Sequence, residues 1–287
     1  MPSDYAIYLF RKRNSRYHNA MKMNSSHYDR LMVETLGNTH LKPSSVYYDE
    51  AYEKALFAQL GKDSLLKTFE KELKRNSQGV KMCSIASSSR LGYLASKKLY
   101  PLTHYEKNDL RLGCCAPNYD GYDANKEIFY EFKCHEFCKQ THGDRLTNSY
   151  IPLLEQVYGI KNSDPKSLRF SDFKMEVDGD PSIYEINFDF KQFLCHIFGI
   201  LSLDQRTLRL KPTLKYVIFV PKSPFDEELR LFITEILRDQ IQSLFRQFRL
   251  LPVTAPCGYG IIDDFLDLLV DIVPADAVND FILKSLD

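Results

Sequence analysis

Apolar residues recur every three or four positions in several stretches of the chain, which is the spacing of an amphipathic helix. In "YYDEAYEKALFAQLGKDSLLKTFEKELKR" (47–75) this spacing is interrupted at Gly61 and predicts two short helices or one broken helix. The serines at 87–89 are suited to cap a further helix in "SIASSSRLGYLASKKLY". Another helix is predicted to begin near Asp189, and one of its faces carries Phe193, Leu194, Ile197, Phe198 and Leu201.

After Pro101 the pattern changes to short segments in which apolar and polar residues alternate, as they do in strands. "HYEKNDLRLG", "PNYDGYD" and "EIFYEFKC" predict three strands, and "DANK" closes the last two into a hairpin. "LKYVIFVPK" is a continuous apolar run and predicts a strand buried on both faces. Downstream, residues 226–248 predict a long amphipathic helix, "RLLPVTAPC" a strand and "IIDDFLDLLVDIV" a terminal helix.

This order of elements predicts an α/β fold in which a central mixed β-sheet is flanked by helices on both sides (α/β/α). No repeat or linker divides the chain, so we expect residues 1–287 to form a single domain. Within it we expect a mainly helical N-terminal extension over 1–80. Over 225–287 we expect C-terminal helices that complete the cover of the sheet.

Composition narrows the class of protein without identifying a partner. The 287 residues include 38 Lys and Arg and 38 Asp and Glu, so the formal net charge is zero and binding to a polyanion requires local basic patches. Hydrophobic residues make up 44% of the chain, which is typical of a folded globular protein. No apolar stretch approaches the roughly 18 residues of a membrane span, and the N-terminal sequence lacks a signal-peptide pattern. We therefore expect a soluble cytoplasmic protein with no membrane partner.

The seven cysteines, an odd number, favour reduced thiols over a disulfide framework. Four of them allow a zinc site as an alternative, namely Cys114, Cys115, Cys134 and Cys138. Their spacing lacks the paired C-x2-C pattern that is typical of zinc sites, so this alternative is the weaker one.

The predicted hairpin carries the candidate chemistry. Because side chains alternate along a strand, Glu131 and Lys133 project from one face of "EIFYEFK". The turn brings Asp120 of the preceding strand alongside them. Two carboxylates beside one lysine either form an ordinary surface ion pair or make a site for Mg2+.

Mg2+ takes oxygen ligands and usually keeps several waters, so two carboxylates and one carbonyl are sufficient to hold it. Asp120, Glu131 and the backbone carbonyl of Phe132 are the expected metal ligands, and Mn2+ is expected to substitute for Mg2+. Lys133 would contact the scissile phosphate and the attacking water. The spacing therefore indicates hydrolysis of a phosphodiester.

The arrangement of Asp120, ten intervening residues and the segment 131–133 resembles the PD-(D/E)XK nuclease superfamily. "PNYDGYD", "FYEFKCHEF" and "FDFKQFLCHIFGIL" resemble in particular a bacterial group of predicted restriction endonucleases. That group has a Pro-Asn-x-Asp strand, a Glu-x-Lys strand with a nearby Glu, and a helix with Gln and His four apart. The resemblance covers residues 84–220 and implies a restriction-endonuclease-like core: a helix, a three-stranded meander, a helix and a strand.

The resemblance also implies roles for individual residues. Lys133 becomes the catalytic lysine and Glu136 an auxiliary acid. Gln192 takes a place at the metal site or the DNA backbone, on the same helix face as His196. The alternative for this face is that Gln192 and His196 form the polar edge of a packed helix.

The sequence departs from the superfamily pattern at three points. Pro117 lies three residues before Asp120 rather than next to it, and Asp123 is a second candidate for the aspartate ligand. The first core helix, "SIASSSRLGYLASKK", lacks the glutamate that many superfamily members place there. Glu106 and Glu72 are the available substitutes.

Candidate phosphate contacts are the basic segments 11–16 and 206–215, together with Arg246 and Arg249. The expected function is a Mg2+-dependent DNA endonuclease in defence against foreign DNA, and cutting both strands of a duplex favours a homodimer. The alternatives are a nucleic-acid-binding protein that kept the fold and lost catalysis, and an interaction or scaffold protein. Three observations separate them: convergence of the two carboxylates and the lysine, a divalent ion between the carboxylates, and a basic cleft wide enough for a duplex.

Overall fold

The structure is a computed structural model of the chain. It describes residues 25–37, 39–63, 65, 68–107, 117–134, 190–222, 242, 245, 246, 248–250, 252–256 and 258–287. The helices are α1 (Ser25–Leu36), α2 (Glu50–Lys62), α3 (Ser88–Ser96), α4 (Phe190–Leu201) and α5 (Ile262–Phe265). The strands are β1 (His104–Lys107), β2 (Tyr119–Asp123), β3 (Ile128–Lys133), β4 (Thr213–Val220), β5 (Pro252–Ala255), β6 (Gly258–Ile261) and β7 (Asp267–Pro274). In this described part of the chain, no helix has the length and apolar character needed to cross a membrane.

Five strands form one sheet in the order β1-β2-β3-β4-β7. Strands β1, β2 and β3 are an antiparallel meander, whereas β4 and β7 continue the sheet with parallel pairing. The predicted α/β fold with a mixed sheet is therefore confirmed. Strands β5 and β6 pair separately as an antiparallel two-stranded sheet.

Helices pack on both faces of β3, because the side chains of a strand alternate between the faces. On one face Gly92 of α3 lies against the ring of Phe132. On the other face Gln192 of α4 bonds to Glu131. Strand β4, next to β3, is buried along almost its whole length, as its continuous apolar sequence predicts.

Two of the predicted helices begin and pack as expected. Ser87 caps α3 by accepting a hydrogen bond from the backbone N–H of Arg90. The apolar face predicted for α4 is buried in full: Phe193, Leu194, Ile197, Phe198 and Leu201. These buried faces place the helices on the sheet and orient the polar residues between them.

The prediction of a terminal helix over "IIDDFLDLLVDIV" is wrong. Only Ile262–Phe265 is helical, and Asp267–Pro274 forms β7, which pairs with β4 along its whole length. The β-branched residues of "LVDIV" fit a sheet better than a helix once a buried parallel strand lies beside them. The sheet thus gains a strand where helices over 225–287 were predicted. The long helix at 226–248 and residues 1–24 of the N-terminal extension lie mostly or wholly outside the described residues.

The pairing of β2 with β3 ends before β3 does. The ladder ends with Gly121 opposite Tyr130, while β3 continues beside β4 and β2 continues beside β1. At the next position the side chain of Asp120 accepts the backbone N–H of Phe132 at 2.8 Å. We call this divergence of β2 from β3 the fork, and it is where the predicted site residues lie.

The close packing of α3 on β3 can be tested with two glycines. A Cβ at Gly92 would lie 2.5 Å from a ring carbon of Phe132, so we expect Gly92→Ala to lower the free energy of unfolding by about 1–3 kcal/mol. Gly61→Ala is the matched control, because a Cβ there meets nothing within 4 Å and alanine favours a helix by up to about 1 kcal/mol. Urea denaturation should therefore give effects of opposite sign, and two effects of the same sign would contradict this packing.

Candidate active site

Glu131 and Lys133 form an ion pair on one face of β3, as strand alternation predicts. The Nζ of Lys133 lies 2.6 Å from Oε1 of Glu131. The side chain of Glu131 is 2% exposed and that of Lys133 is 16% exposed, so this is no solvated surface pair. Burying charge is costly unless polar partners surround it, and the neighbouring helix supplies such partners.

Gln192 of α4 completes a ring of three polar side chains. Its Oε1 accepts a hydrogen bond from Nζ of Lys133 at 2.8 Å, and its Nε2 donates to Oε1 of Glu131 at 2.8 Å. An amide suits this position because it both donates and accepts. The structure thus brings together three of the predicted site residues. We call Glu131, Lys133 and Gln192 the polar triad.

His196 lies one helical turn after Gln192 on α4, and its ring is next to the carboxylate of Glu131. Its Nε2 is 3.8 Å from Oε2 of Glu131 and 3.2 Å from the backbone oxygen of Asn118. Its Nδ1 is 3.1 Å from the hydroxyl of Tyr216, a residue of β4 that is paired with Glu131 in the sheet register. Both polar side chains of this helix face are therefore directed at Glu131.

Asp120 approaches the site from the other strand of the fork. Its Oδ2 accepts the backbone N–H of Phe132, the residue between Glu131 and Lys133. Asp120 also lines a small pocket with Phe132 and Glu106. The pocket volume of about 10 Å3 is room for about one water molecule. The same pocket is lined by Gly92 of α3, so Asp120 lies on the face of β3 that carries Phe132, opposite to the face of Glu131 and Lys133. It is held there by the backbone N–H of Phe132.

Glu106 of β1 is the substitute acid that lies in the same pocket as Asp120. Burial raises the pKa of Glu106 above its ordinary value, and the negative charge of Asp120 raises it further. Lys71 lowers this pKa, and Glu72 raises it. Glu72 itself lies 3.8 Å from the Nζ of Lys81. Of the two acids proposed to replace the missing helix glutamate, Glu106 is the one beside Asp120.

Asp123, the competing candidate for the aspartate ligand, is used in the hairpin turn. Its Oδ1 accepts the backbone N–H of Asn125 at 3.0 Å, and the residue is buried opposite Ile128. An aspartate bonded to a backbone amide two residues later stabilises a turn. Asp120, in contrast, contacts the strand segment that carries Glu131 and Lys133.

The oxygen atoms at the fork are of the kind that a hard divalent cation prefers. In the ranges that the structure describes, no three His, Cys, Asp or Glu side chains are grouped closely enough to hold a metal ion. Glu136 and three cysteines of the zinc alternative, Cys114, Cys115 and Cys138, lie outside those ranges. The fourth cysteine, Cys134, is buried.

The basic segment 206–215 has acidic neighbours. Its shortest ion pairs, at 2.7–2.9 Å, are Arg206–Asp204, Lys211–Asp267 and Lys215–Asp271. Arg249 is likewise paired with Asp263 at 2.7 Å, whereas Arg246 is exposed. These pairs reduce the net positive charge that the segment offers to a phosphate backbone. Residues 11–16 lie outside the described ranges.

Two tyrosines belong to the site although sequence reasoning did not select them. Tyr216 bonds to the ring of His196, and the hydroxyl of Tyr119 donates to the backbone oxygen of His196 at 2.6 Å. Each is an aromatic residue within a strand, Tyr119 in β2 and Tyr216 in β4, and its role depends on how these strands meet α4. The position of Tyr119 next to the Pro-Asn pair was the one signal within the sequence.

Comparisons of the chain with protein-family models, with curated proteins and with solved structures gave no match. The resemblance of the motifs to a nuclease superfamily therefore stays a prediction.

Proposed function

We propose that the protein is a metal-dependent DNA endonuclease of the restriction type. The observation that carries this proposal is the polar triad at the fork, with Asp120 bonded to the backbone of the same strand segment. The order α3, β1, β2, β3, α4 and β4 supports it, since this is the order implied by the resemblance to the PD-(D/E)XK superfamily. Placing the charged ammonium of Lys133 between a buried glutamate and a glutamine costs desolvation free energy. Packing alone therefore does not account for a lysine at this position.

Lys133 is the proposed catalytic lysine because its ammonium group is held in a defined place. Glu131 and Gln192 both accept hydrogen bonds from its Nζ, while the side chain keeps some exposure to solvent. In the proposed reaction Lys133 orients the attacking water and stabilises the charge that develops on the phosphate oxygens. The water oxygen bonds to phosphorus and its proton passes to solvent, while the bond from phosphorus to the leaving sugar oxygen breaks and that oxygen takes up a proton from solvent.

Asp120, Glu131 and the backbone carbonyl of Phe132 are the proposed ligands of Mg2+, with Mn2+ as a substitute. All three groups are oxygen donors, and a site with two protein carboxylates plus waters is usual for Mg2+. When bound, the cation supplies positive charge that offsets the charge on the phosphate in the transition state. The contacts of Asp120 to Phe132 and of Glu131 to Lys133 keep both carboxylates at the fork.

One observation favours a second candidate function, a nucleic-acid-binding protein that kept the fold and lost catalysis. In the described ranges no three His, Cys, Asp or Glu side chains are grouped closely enough to hold a metal ion, and binding of DNA without cleavage needs no metal site. The nuclease proposal takes DNA as the substrate, and it favours a homodimer because cutting both strands of a duplex usually uses two active sites.

Incubation of supercoiled plasmid and phage DNA with Mg2+ or Mn2+ tests the proposal. We expect nicked or linear products that disappear with EDTA and return when excess Mg2+ is added. A panel of single-stranded DNA and RNA defines the substrate. The nuclease proposal would be wrong if no substrate is cleaved and calorimetry detects no binding of a divalent cation. A gel shift with DNA under those conditions would support the second candidate.

A further inference from the structure

Three successive residues, 117–119, lead into β2, and each contacts α4. The ring of Pro117 lies where a side chain on Gly199 would be, so only a glycine allows this close contact. The backbone oxygen of Asn118 contacts Nε2 of His196 at 3.2 Å. The hydroxyl of Tyr119 donates to the backbone oxygen of His196 at 2.6 Å. The segment before Asp120 is therefore held against the helix, with His196 at the centre of the contact.

The partners of His196 define which ring nitrogen carries the proton in the neutral side chain. The oxygen of Asn118 can only accept, so Nε2–H is the donor in that contact. Nδ1 then accepts from the hydroxyl of Tyr216. Oε2 of Glu131 lies 3.8 Å from the same Nε2. One N–H group thus faces an oxygen from each side of the fork.

We propose that His196 is a positioning residue that sets the opening of the fork, and through it the placement of Asp120 relative to Glu131. Asn118 lies two residues before Asp120 on the β2 side, and Glu131 lies on the β3 side. A rigid imidazole ring between them, anchored on β4 by Tyr216, keeps the two strands at one separation.

The functional part of this inference rests on the proposed function, because a fixed distance between β2 and β3 is needed when two carboxylates bind one cation. The geometric part of the inference does not require activity. It can be measured at the backbone N–H of Phe132, which donates to Asp120 across the fork. The rate of hydrogen exchange at this amide reports whether Asp120 stays in contact with β3.

Two substitutions of His196 separate its two ring nitrogens. His196→Gln places an amide nitrogen near the position of Nε2 and keeps a donor for Asn118. His196→Asn reaches only the position of Nδ1 and loses that donor. We expect exchange at the Phe132 amide to be about tenfold faster in His196→Asn, as for one lost buried hydrogen bond, and unchanged in His196→Gln. The amide of Val217 in β4 is the internal control and should not change in either variant.

Tyr119→Phe is an independent variant in case His196→Asn does not fold. It removes the hydroxyl that bonds to the backbone of His196 and keeps the aromatic ring, so it should also speed exchange at Phe132. Equal rates at Phe132 in all variants and the wild type would overturn the proposal. So would equal acceleration at Phe132 and Val217, because that result describes a general loss of stability.

A cleavage assay adds a second readout. If the wild type cuts DNA, His196→Asn is expected to lower kcat and leave KM unchanged, and His196→Gln to restore kcat. Unchanged kcat in His196→Asn would overturn the positioning role. If the wild type does not cut but exchange at Phe132 responds as described, the proposed nuclease function fails while the role of His196 in the fork is supported.

Discussion

Replacing Lys133 by methionine is expected to lower the kcat of DNA cleavage by roughly a hundredfold to a thousandfold, the usual effect of removing one group that stabilises transition-state charge. Methionine keeps the length of the apolar stem and removes the ammonium. In the protein this ammonium lies 2.6 Å from Glu131 and 2.8 Å from Gln192, so two hydrogen bonds fix the position of the positive charge that the substitution removes. Substrate binding, measured as KM, should change far less than kcat.

The control for this substitution is Lys97→Met. Lys97 is also ion-paired, with Asp63 at 2.8 Å, and it lies at the end of α3 away from the polar triad. Its loss should leave cleavage within about twofold of the wild type, as expected for a surface pair. A large loss of activity in Lys97→Met would show that the assay responds to general damage.

Loss of Lys133 also leaves Glu131 buried without its counter-charge, which lowers stability. The double variant Lys133→Met/Glu131→Gln removes both charges and keeps both side-chain lengths. We expect it to recover part of the melting temperature lost in Lys133→Met and to stay inactive. Recovery of cleavage together with stability would contradict a catalytic role for either residue, since it would tie the lost activity to unfolding.

The contacts of the site that depend on local periodicity could be predicted from the sequence. Glu131 and Lys133 share a face because strand side chains alternate, and Gln192 and His196 share a face because they lie four apart on a helix. In the sequence, the preceding Pro117 and Asn118 favour Asp120 over Asp123. The structure gives the physical difference, since Asp123 is bonded within its own turn.

The contacts that depend on how distant elements meet could not be predicted. Tyr216 lies beside Glu131 only because β3 and β4 pair in one particular parallel register. The terminal segment illustrates the same limit, because "LDLLVDIV" fits a helix until β4 offers it a pairing edge. Local patterns identify faces, whereas registers are decided by packing over the whole sheet.

The burial of Arg90 is another feature that the sequence does not predict. Its ion pair is also where we expect the largest effect of a substitution on stability. Within a sequence, an arginine on a capped helix is usually exposed, yet Arg90 of α3 is 0% exposed. Its guanidinium donates to Oδ2 of Asp280 at 2.6 Å and to the backbone oxygens of Ser84 and Ile85. Asp280 comes from near the end of the chain, 190 residues away.

We expect Asp280→Asn to lower the free energy of unfolding by about 3–5 kcal/mol, because it leaves a fully buried cation without its counter-charge. Asparagine keeps the Oδ1 acceptor that Asp280 offers to the backbone N–H groups of Ile282 and Leu283, so the local turn is preserved. The matched control is Asp276→Asn. Asp276 pairs with Lys222 at 3.4 Å, and both side chains are exposed. That surface pair should contribute no more than about 1 kcal/mol.

The double variant Arg90→Met/Asp280→Asn decides whether the loss comes from the uncompensated charge. A buried pair replaced by uncharged side chains costs less than a broken pair, so urea denaturation should show the double variant to be more stable than Asp280→Asn alone. If the double variant is no more stable than Asp280→Asn alone, the uncompensated charge of Arg90 is not the cause of the loss. Because α3 also packs Gly92 against Phe132 of β3, the Arg90–Asp280 contact connects the end of the chain to the helix that packs on the strand of Glu131 and Lys133.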